Sequence, residues 1–599
     1  MRSHFSLASC LGALVVVAVA VGNATAQSAD TAFETLASQY LDEFARFSPV
    51  GATSLGDHRY DDQLDNVDDK TRSDRLRWTR DVLRKAQAID RSQLSRANQV
   101  DLELLQHRLR SQIWRQTELR EWAWNPLIYT GKCGDSIYGL MARDFAPARD
   151  RLNNVVRRLE QFPRFLRQVR DTLEIERVPE IHATTASRQN EGVLKIIDNM
   201  VLPQADALTA AEQVRLRNAI DTATVAIREH QSWLEETLIP AAKASYRLPK
   251  KLYDQKLAFS LHSPLSQTEI RATAERRIRE LHEMMFEIAE PINRSAGRSV
   301  ANPPSDKQRR EAIRFALEQA YADSPAADQV VATAKRSAQM ATDFIRERNL
   351  ISLMPDPLEI ILMPEFRQGV SVAYCDSPGP LDVGQKTFYV VSPIPDDWSA
   401  EQASSFLREY NTRSIHVLTI HEALPGHFLQ LAHANRYPGK LRHLFNSGTF
   451  VEGWACYTEW MMCQQGYLDH DPLMKLITLK WYLRDAMNAI LDSAVHIDGI
   501  SREEGMRLMM EDAFQEEREA AGKWRRAQLT SVQLSTYFVG YLEQVAMRQA
   551  AEEAWGAEFD LKRYHDTALS FGAPPAQFVQ ALMLDQPIPG GDVAVQIED

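Results

Sequence analysis

A helical repeat of apolar residues is the feature that most constrains how this 599-residue chain can fold. From Thr31 to about Asn293, apolar side chains recur at steps of three and four residues between short polar breaks, for example at 153–173. Only 25 glycines and 27 prolines interrupt the chain, while residues that favour helices are plentiful. The same pattern returns after Ser399 and continues to about Leu584. These patterns predict a mainly α-helical protein.

Three short runs rich in β-branched and aromatic residues interrupt the helical pattern. They lie at 358–363, 370–374 and 387–391. Proline and glycine separate the runs, which predicts a small β-sheet. Upstream, residues 293–305 collect Gly, Ser and a Pro pair between two helical stretches, as a hinge does. We therefore predict an N-terminal helical lobe over residues 27–300 and a second lobe over residues 301–599.

The first 26 residues have the organisation of an export signal. Arg2 and His4 precede an apolar run at 11–21, and Ala24-Thr25-Ala26 follows, which predicts cleavage after Ala26. An uncleaved membrane anchor is the alternative, but the run is far shorter than the roughly 20 residues that a span needs. Residues 7–10 resemble a lipoprotein cleavage box, yet they precede the apolar run that they should follow. We therefore predict no lipid anchor.

Charge, hydropathy and cysteine content limit which partners the protein can bind and in which compartment it can act. No second apolar run is long enough to cross a bilayer, so we expect a soluble mature protein in the periplasm or outside the cell. The 81 acidic and 69 basic residues give a net charge of -12 without a basic stripe, which argues against nucleic acid as a partner. Four cysteines follow the signal: Cys133, Cys375, Cys456 and Cys463. Export permits a disulfide, but Cys456 and Cys463 lie about 10 Å apart along one helix and should not bridge.

A His-Glu pair followed by a second histidine predicts a metal site. His421-Glu422 and His427 supply two imidazoles and an intervening carboxylate, as in zinc peptidases, but the histidines are six residues apart where the usual motif has four. At about 100° per residue, a regular helix would leave them about 120° out of alignment. Pro425 removes a backbone donor and Gly426 adds backbone freedom, so we expect the helix to bulge or break and return His427 to the metal.

Glu452 is the predicted third metal ligand. It begins a second helical stretch some 25 residues beyond His427, and Glu459 lies on nearly the same face one heptad later. We therefore assign Glu452 to the metal and Glu459 to a hydrogen bond with a ligand imidazole, although the two roles could be exchanged. Trp454 and Tyr457 are interpreted as core residues. Three other histidines are alternative ligands: His416 first, then His433 and His443.

These motifs, taken in order, resemble those of the bacterial family known as domain of unknown function 885. The matching elements are His421 to His427, Glu452 to Glu459, Asp492 to His496, and Gln533 to Gly540. The similarity extends over nearly all of the mature chain. It implies a gluzincin-like helical body akin to neurolysin-type and angiotensin-converting-enzyme-type peptidases, with a deep cleft between two lobes and the zinc site in the lobe at 301–599. The segment 377–389 matches the family only loosely.

The resemblance also implies roles for the remaining site residues. Glu422 would act as general base and later as proton donor, and one Zn²⁺ would polarise the scissile carbonyl. Tyr537 is predicted to donate to the developing oxyanion, a task that His496 could share unless it binds substrate backbone. A structural role in the core is the alternative for both. Residues 387–391 could form a cleft-edge strand that pairs with extended substrate, or a structural hairpin.

The leading functional prediction is a secreted zinc peptidase that hydrolyses small or unfolded peptides. A metal-dependent amidase or isopeptidase acting on modified peptides would use the same groups. A periplasmic peptide-binding protein without catalysis is a third hypothesis. Glu422 argues against it, because a binding protein does not need a base between two metal ligands.

Overall fold

The computed structural model describes residues 29–363, 372–394 and 398–590. Within these ranges the protein is mainly α-helical and contains one small three-stranded sheet, which confirms the predicted fold class at this level. The two-lobed zincin arrangement remains a prediction. The predicted signal peptide lies outside the described residues. Among the described helices, none combines the length and the apolarity that crossing a bilayer requires.

Helices α1 to α13 make up the N-terminal half of the described chain. Their bounds are 29–47 (α1), Pro49–Ser54 (α2), Asp69–Gln87 (α3), Arg96–Trp114 (α4), Glu121–Trp124 (α5), Leu127–Met141 (α6), Ala148–Leu159 (α7), Phe162–Thr172 (α8), Glu180–Ile196 (α9), Ala210–Trp233 (α10), Ile239–Ala241 (α11), Lys250–Leu261 (α12) and Gln267–Ser295 (α13). The single pattern predicted at 153–173 is divided between α7 and α8. Pro163 lies in the first turn of α8, where its missing amide donor is tolerated, and could not continue α7.

Helices α14 to α26 make up the rest. Their bounds are Asp306–Tyr321 (α14), Val330–Arg348 (α15), Ala400–Glu409 (α16), Thr412–Glu422 (α17), His427–Ala434 (α18), Lys440–Leu444 (α19), Gly448–Gln464 (α20), Pro472–Ser493 (α21), Arg502–Arg507 (α22), Glu517–Leu529 (α23), Ser535–Trp555 (α24), Leu561–Leu569 (α25) and Ala576–Met583 (α26). The predicted hinge at 293–305 forms the connection between α13 and α14, with Asn293 still inside α13.

The sheet has the order β1-β3-β2. Its strands are Leu358–Leu362 (β1), Ala373–Asp376 (β2) and Thr387–Val391 (β3). Strand β3 pairs in parallel with β1 and antiparallel with β2, so both of its edges are hydrogen-bonded. The prediction that residues 387–391 form a cleft-edge strand is therefore wrong, and the structural-hairpin interpretation fits. The start of the run predicted at 370–374 lies outside the described residues.

Two large hydrophobic cores organise the helices. The larger extends from Tyr253 on α12 to Val579 on α26 and includes all of the helices around the predicted metal site. The other lies among α6 to α10, with Val50 and Leu64. Helices α12 and α13 precede residue 300, yet they pack into the larger core. The predicted division into two lobes at residue 300 stays a prediction.

Candidate metal centre

The chain breaks its helix between the two histidines. Helix α17 ends at Glu422, and Ala423 leaves the helical region with φ −120° and ψ −84°. After the cis Leu424–Pro425 bond, α18 begins at His427. The Gly426 amide donates to the Ile420 carbonyl at 2.9 Å, and a Cβ on Gly426 would lie 1.9 Å from the His421 carbonyl oxygen. Only glycine fits there, and the distortion is a complete break.

The break brings three potential metal ligands together. Nε2 of His421 lies 3.5 Å from Oε2 of Glu452, and Nε2 of His427 lies 3.4 Å from the same oxygen. The two imidazole rings are nearly perpendicular, at 83°. One ligand atom from each residue lies within 4.8 Å of the other two. The sequence-predicted ligands are therefore neighbours in space.

The spacing of these atoms suits a tetrahedral zinc ion. Ligand atoms bound at about 2.0–2.1 Å with tetrahedral angles lie about 3.4 Å apart, close to both measured N–O distances. Oε2 of Glu452 is buried and has no hydrogen-bond partner among the described residues. A buried carboxylate oxygen without a partner is costly unless a cation satisfies it. Two imidazoles and a carboxylate are thus a donor set that fits zinc.

Glu459 orients the first histidine. Its Oε1 lies 2.6 Å from Nδ1 of His421, which leaves Nε2 of that ring directed toward Glu452. A hydrogen bond at one ring nitrogen fixes the imidazole and makes the other nitrogen a better ligand. The geometry favours the predicted division of roles between Glu452 and Glu459 over the exchanged one.

A second group of possible ligands shares His421. It consists of His421, Cys456 and Glu459, all buried. The Cys456 thiol donates to Asp485 at 3.3 Å, and burial, reinforced by neighbouring carboxylates, holds the pKa of this thiol well above its ordinary value. Because the thiolate is the form that binds metals, this group is the weaker donor set.

The charges of the site are mutually dependent. Burial alone would lower the pKa of His421, but the nearby Glu452 carboxylate and the hydrogen bond to Glu459 outweigh it and hold the pKa well above its ordinary value. Burial would raise the pKa of Glu452, but His421 and His427 overcome that effect and lower it. The Glu452 carboxylate is therefore ionised, and its negative charge favours a cation beside it.

Glu422 lies between the ligands and the sheet. Its side chain is buried, and its carboxylate is near enough to add to the effect of burial in raising the pKa of Cys375 on β2 and of Tyr389 on β3. Tyr389 OH also lies 3.4 Å from Thr419 Oγ1 on α17. The sheet thus packs directly against the end of α17 that carries the predicted general base.

Tyr537 reaches the site from α24. Its ring centroid lies 6.5 Å from that of His421. Arg526 Nη2 donates to the Tyr537 oxygen at 2.9 Å and Gln533 Nε2 at 3.4 Å, so both contacts use the phenol as acceptor. Burial, aided by Glu452, raises the pKa of Tyr537 well above its ordinary value, against the effect of Arg526. The phenol keeps its proton and has it free to donate.

Among the described residues, His496 has no hydrogen bond or ion pair to the predicted metal ligands or to Tyr537, and its contacts fit the structural alternative better than the predicted catalytic role. Its Nε2 lies 2.9 Å from the Ala527 carbonyl oxygen and 2.8 Å from that of Thr530. One turn earlier, Asp492 accepts hydrogen bonds from the amides of Val532 and Leu534. Asp492 and His496 are therefore hydrogen-bonded to the backbone at the end of α23 and in the connection to α24. They help to position Tyr537 indirectly, because Tyr537 lies in the first turn of α24.

The three alternative histidine ligands are all engaged elsewhere. His416 contacts Ser337 and Tyr467, His433 contacts the Ser352 carbonyl, and His443 contacts the Tyr437 carbonyl. None belongs to a group of possible metal ligands among the described residues.

Helices α20 and α24 approach closely, which fixes Glu452 relative to Tyr537. A Cβ on Gly453 would lie 2.3 Å from the Gly540 carbonyl carbon, and a Cβ on Gly540 would lie 2.1 Å from the Thr449 carbonyl oxygen. Trp454 is fully buried, and its Nε1 donates to the Pro425 carbonyl at 2.9 Å. The helix that carries the predicted third ligand, Glu452, therefore also contacts the break between the two histidines.

Sequence reasoning missed Arg526. It stands in an amphipathic helical stretch with no motif around it, and only its contacts with Tyr537 and Gln533 reveal that it borders the site. The four cysteines at 133, 375, 456 and 463 are all free.

Comparison with known proteins identifies the family. The family model described as "Bacterial protein of unknown function (DUF885)" matches residues 49–583, so the chain belongs to this family, as its motifs predicted. A solved structure from Shewanella oneidensis, described as a lipoprotein of unknown function, is 32% identical with a TM-score of 0.77 and covers 92% of this chain and 99% of its own. One from Colwellia psychrerythraea, also described as a lipoprotein, shares the fold at 16% identity, with a TM-score of 0.75 and coverage of 94% and 99%. No curated protein matches the chain.

Proposed function

We propose that this protein is a zinc-dependent peptidase of the gluzincin type. The observation that carries the proposal is the convergence of His421, His427 and the unpartnered carboxylate oxygen of Glu452 at tetrahedral spacing, with Glu422 beside them. His421, His427 and Glu452 would hold the zinc ion, which would supply a Lewis acid for the scissile carbonyl and lower the pKa of water. We infer that the substrates are small or unfolded peptides bound in a cleft of the helical body.

The side chains of the site divide the remaining work. Glu422 is buried near the ligands and would accept a proton from the attacking water and pass it to the leaving amine. Tyr537 has its proton free and would donate it to the oxyanion of the tetrahedral intermediate. Glu459 holds the His421 ring through Nδ1, so that Nε2 stays directed toward Glu452.

Export is part of the same proposal. The solved relatives are described as lipoproteins, and the described helices include none suited to span a membrane. Together with the predicted signal peptide, these observations support action in the periplasm or outside the cell.

Metal content tests the proposal most directly. Elemental analysis of protein purified without chelators or a histidine tag should give about one zinc per chain, and His427→Ala and Glu452→Ala should each lose it. His416→Ala is the matched control, because this buried histidine is hydrogen-bonded outside the site and should keep zinc. A peptide-library screen of the zinc-loaded protein then looks for hydrolysis. Folded protein that takes up no zinc when the metal is added would refute the proposal.

Removing the support of His421 should weaken zinc binding without abolishing it. We expect Glu459→Ala to lower zinc affinity about 10- to 100-fold, because partners of this kind orient the ligand and raise its basicity. Competition with a chelator of known affinity measures the change. Cys463→Ala, at a partly buried position on the same helix outside both groups of possible ligands, is the control and should leave the affinity unchanged. Equal affinities for Glu459→Ala and the control would contradict the assigned role.

A further inference from the structure

Arg526 lies on the accessible side of the site. Its guanidinium donates through Nη2 to the Tyr537 phenol at 2.9 Å and to Gln533 Oε1 at 2.8 Å. Arg526, Gln533 and Tyr537 are all partly exposed, whereas Leu534, Ser535 and Thr536 between the latter two are buried. Each of these three side chains therefore presents some surface to solvent.

The Arg526 charge has no carboxylate partner. Among the described residues, no carboxylate oxygen lies within 4 Å of its guanidinium, and both of its hydrogen bonds go to neutral groups. Glu452 and Glu519 are near enough to act on its charge. Glu452 faces the two imidazoles, and Glu519 is engaged with other residues: Arg484 at 3.5 Å, Lys523 at 3.7 Å and the Tyr410 phenol at 2.8 Å.

Three cations share Glu519: Arg484 and Lys523 lie within 4 Å of its carboxylate, and Arg526 is near enough to interact with it. Burial lowers the pKa of nearby Lys523 to about 8 against the attraction of Glu519, and Arg484 and Arg526 both push in the same direction as burial. Burial would lower the pKa of Arg526, but Tyr537, Glu452 and Glu519 outweigh that effect, so the guanidinium stays charged. A charged, partly exposed guanidinium whose hydrogen bonds go to neutral groups has donors left for an anion of a ligand.

We propose that Arg526 binds a carboxylate of the substrate next to the bond that is cleaved, an inference that rests on the proposed peptidase function. The planar guanidinium matches a carboxylate in a bidentate pair. Because Nη2 lies 2.9 Å from the Tyr537 oxygen, the guanidinium is about 6 Å or less from an oxyanion that Tyr537 would contact. Adjacent residues of a peptide are about 3.8 Å apart, so this reach suits a carboxylate on the residue that flanks the scissile bond.

Two carboxylates can occupy that position. One is the terminal α-carboxylate of a peptide from which the last residue is removed, and the other is the side chain of an Asp or Glu beside an internal scissile bond. The test therefore uses one peptide pool in three forms: free C-terminus without acidic residues, the same peptides amidated, and amidated peptides that contain Asp or Glu. Each form is given to the zinc-loaded wild type, to Arg526→Gln and to Arg525→Gln, whose exposed side chain on the same helix is the matched control.

We expect the wild type and Arg525→Gln to cleave a carboxylate-bearing form about 10- to 100-fold better in kcat/KM than the neutral amides, mainly through KM. In Arg526→Gln this preference should fall to near one with zinc content unchanged, because the loss of kcat/KM on the carboxylate-bearing form exceeds any loss on the neutral amides that arises through Tyr537. Preference for the free C-terminus identifies the α-carboxylate, and preference for the acidic amides identifies a side chain. Equal cleavage of all three forms by the wild type, or an equal loss on all three in Arg526→Gln, would overturn the proposal and leave Arg526 as a support for Tyr537.

Binding separates failure of this inference from failure of the peptidase proposal. Calorimetry with the same three peptide forms on Glu422→Gln, which retains the ligands but should not hydrolyse peptides, reports carboxylate recognition without turnover. Carboxylate-dependent binding that disappears in Glu422→Gln/Arg526→Gln supports the Arg526 site even if the wild type cleaves no peptide. If the wild type cleaves peptides but Glu422→Gln binds all three peptide forms equally well, the peptidase proposal stands and the proposal that Arg526 binds a carboxylate is overturned.

Discussion

The Glu422→Gln variant is expected to lose peptide hydrolysis by a factor of about 10² to 10⁴ while keeping its zinc. The amide has nearly the shape of the carboxylate but cannot accept a proton from water. Glu422 is buried and lies near enough to Cys375 and Tyr389 to affect their pKa values, so a substitution that conserves shape should leave the packing of the sheet on α17 intact. Steady-state kinetics on the best substrate of the screen, with elemental analysis of the same samples, measures both effects.

A control separates loss of the base from loss of the fold. Glu503→Gln changes an exposed carboxylate on α22 and should retain full activity and full zinc content. Hydrolysis by Glu422→Gln at the wild-type rate would remove Glu422 from the mechanism. Loss of zinc in this variant would instead mean that Glu422 helps to hold the metal.

The Gly540→Ala variant is expected to lose both stability and activity. Its new Cβ would lie 2.1 Å from the Thr449 carbonyl oxygen, so α20 and α24 must separate by about 1 Å to restore normal contact. Overpacking of this kind costs about 1–3 kcal/mol of unfolding free energy. Because α20 carries Glu452 and α24 carries Tyr537, the same shift should lower kcat/KM about 10²-fold.

Chemical denaturation followed by circular dichroism, together with kinetics on the folded protein, tests the effect of Gly540→Ala. Gly522→Ala is the matched control, because a Cβ on this glycine of α23 meets nothing within 4 Å. It should leave activity unchanged and stabilise its helix by up to about 1 kcal/mol. Wild-type denaturation and kinetics in Gly540→Ala would mean that the two helices are not held by their glycines.

The candidate ligands could be predicted because their information is local. One short segment predicts both metal binding and a distorted helix. His421 and Glu422 are typical of a zinc site, and Pro425 and Gly426 indicate that the helix cannot stay regular. Whether the distortion is a bulge or a break depends on the approach of Gly426 to the carbonyls of the preceding turn, which no spacing rule contains.

The remaining differences arise from contacts between distant segments. The run at 387–391 was correctly predicted as a strand. Its central position between β1 and β2 depends on pairing with two other segments, which the residues of the run do not specify. His496 has the spacing of a site residue, yet its ring nitrogen is used by carbonyls more than 30 residues later in the chain. Arg526 belongs to no recognisable motif, and only its hydrogen bond to Tyr537 shows that it borders the site.

The hydrogen bond from Trp454 to the Pro425 carbonyl ties the spacing of the two histidines to the position of Glu452. A short peptide that contains only residues 412–434 would have the two imidazoles but nothing to hold the break between their helices. Metal capture at the proposed site would therefore be a property of the assembled tertiary structure, and we expect that the segment alone, placed on another scaffold, would not bind the metal. Bound zinc would accordingly serve as a probe of native folding, taken up after the helices have docked and released when they separate.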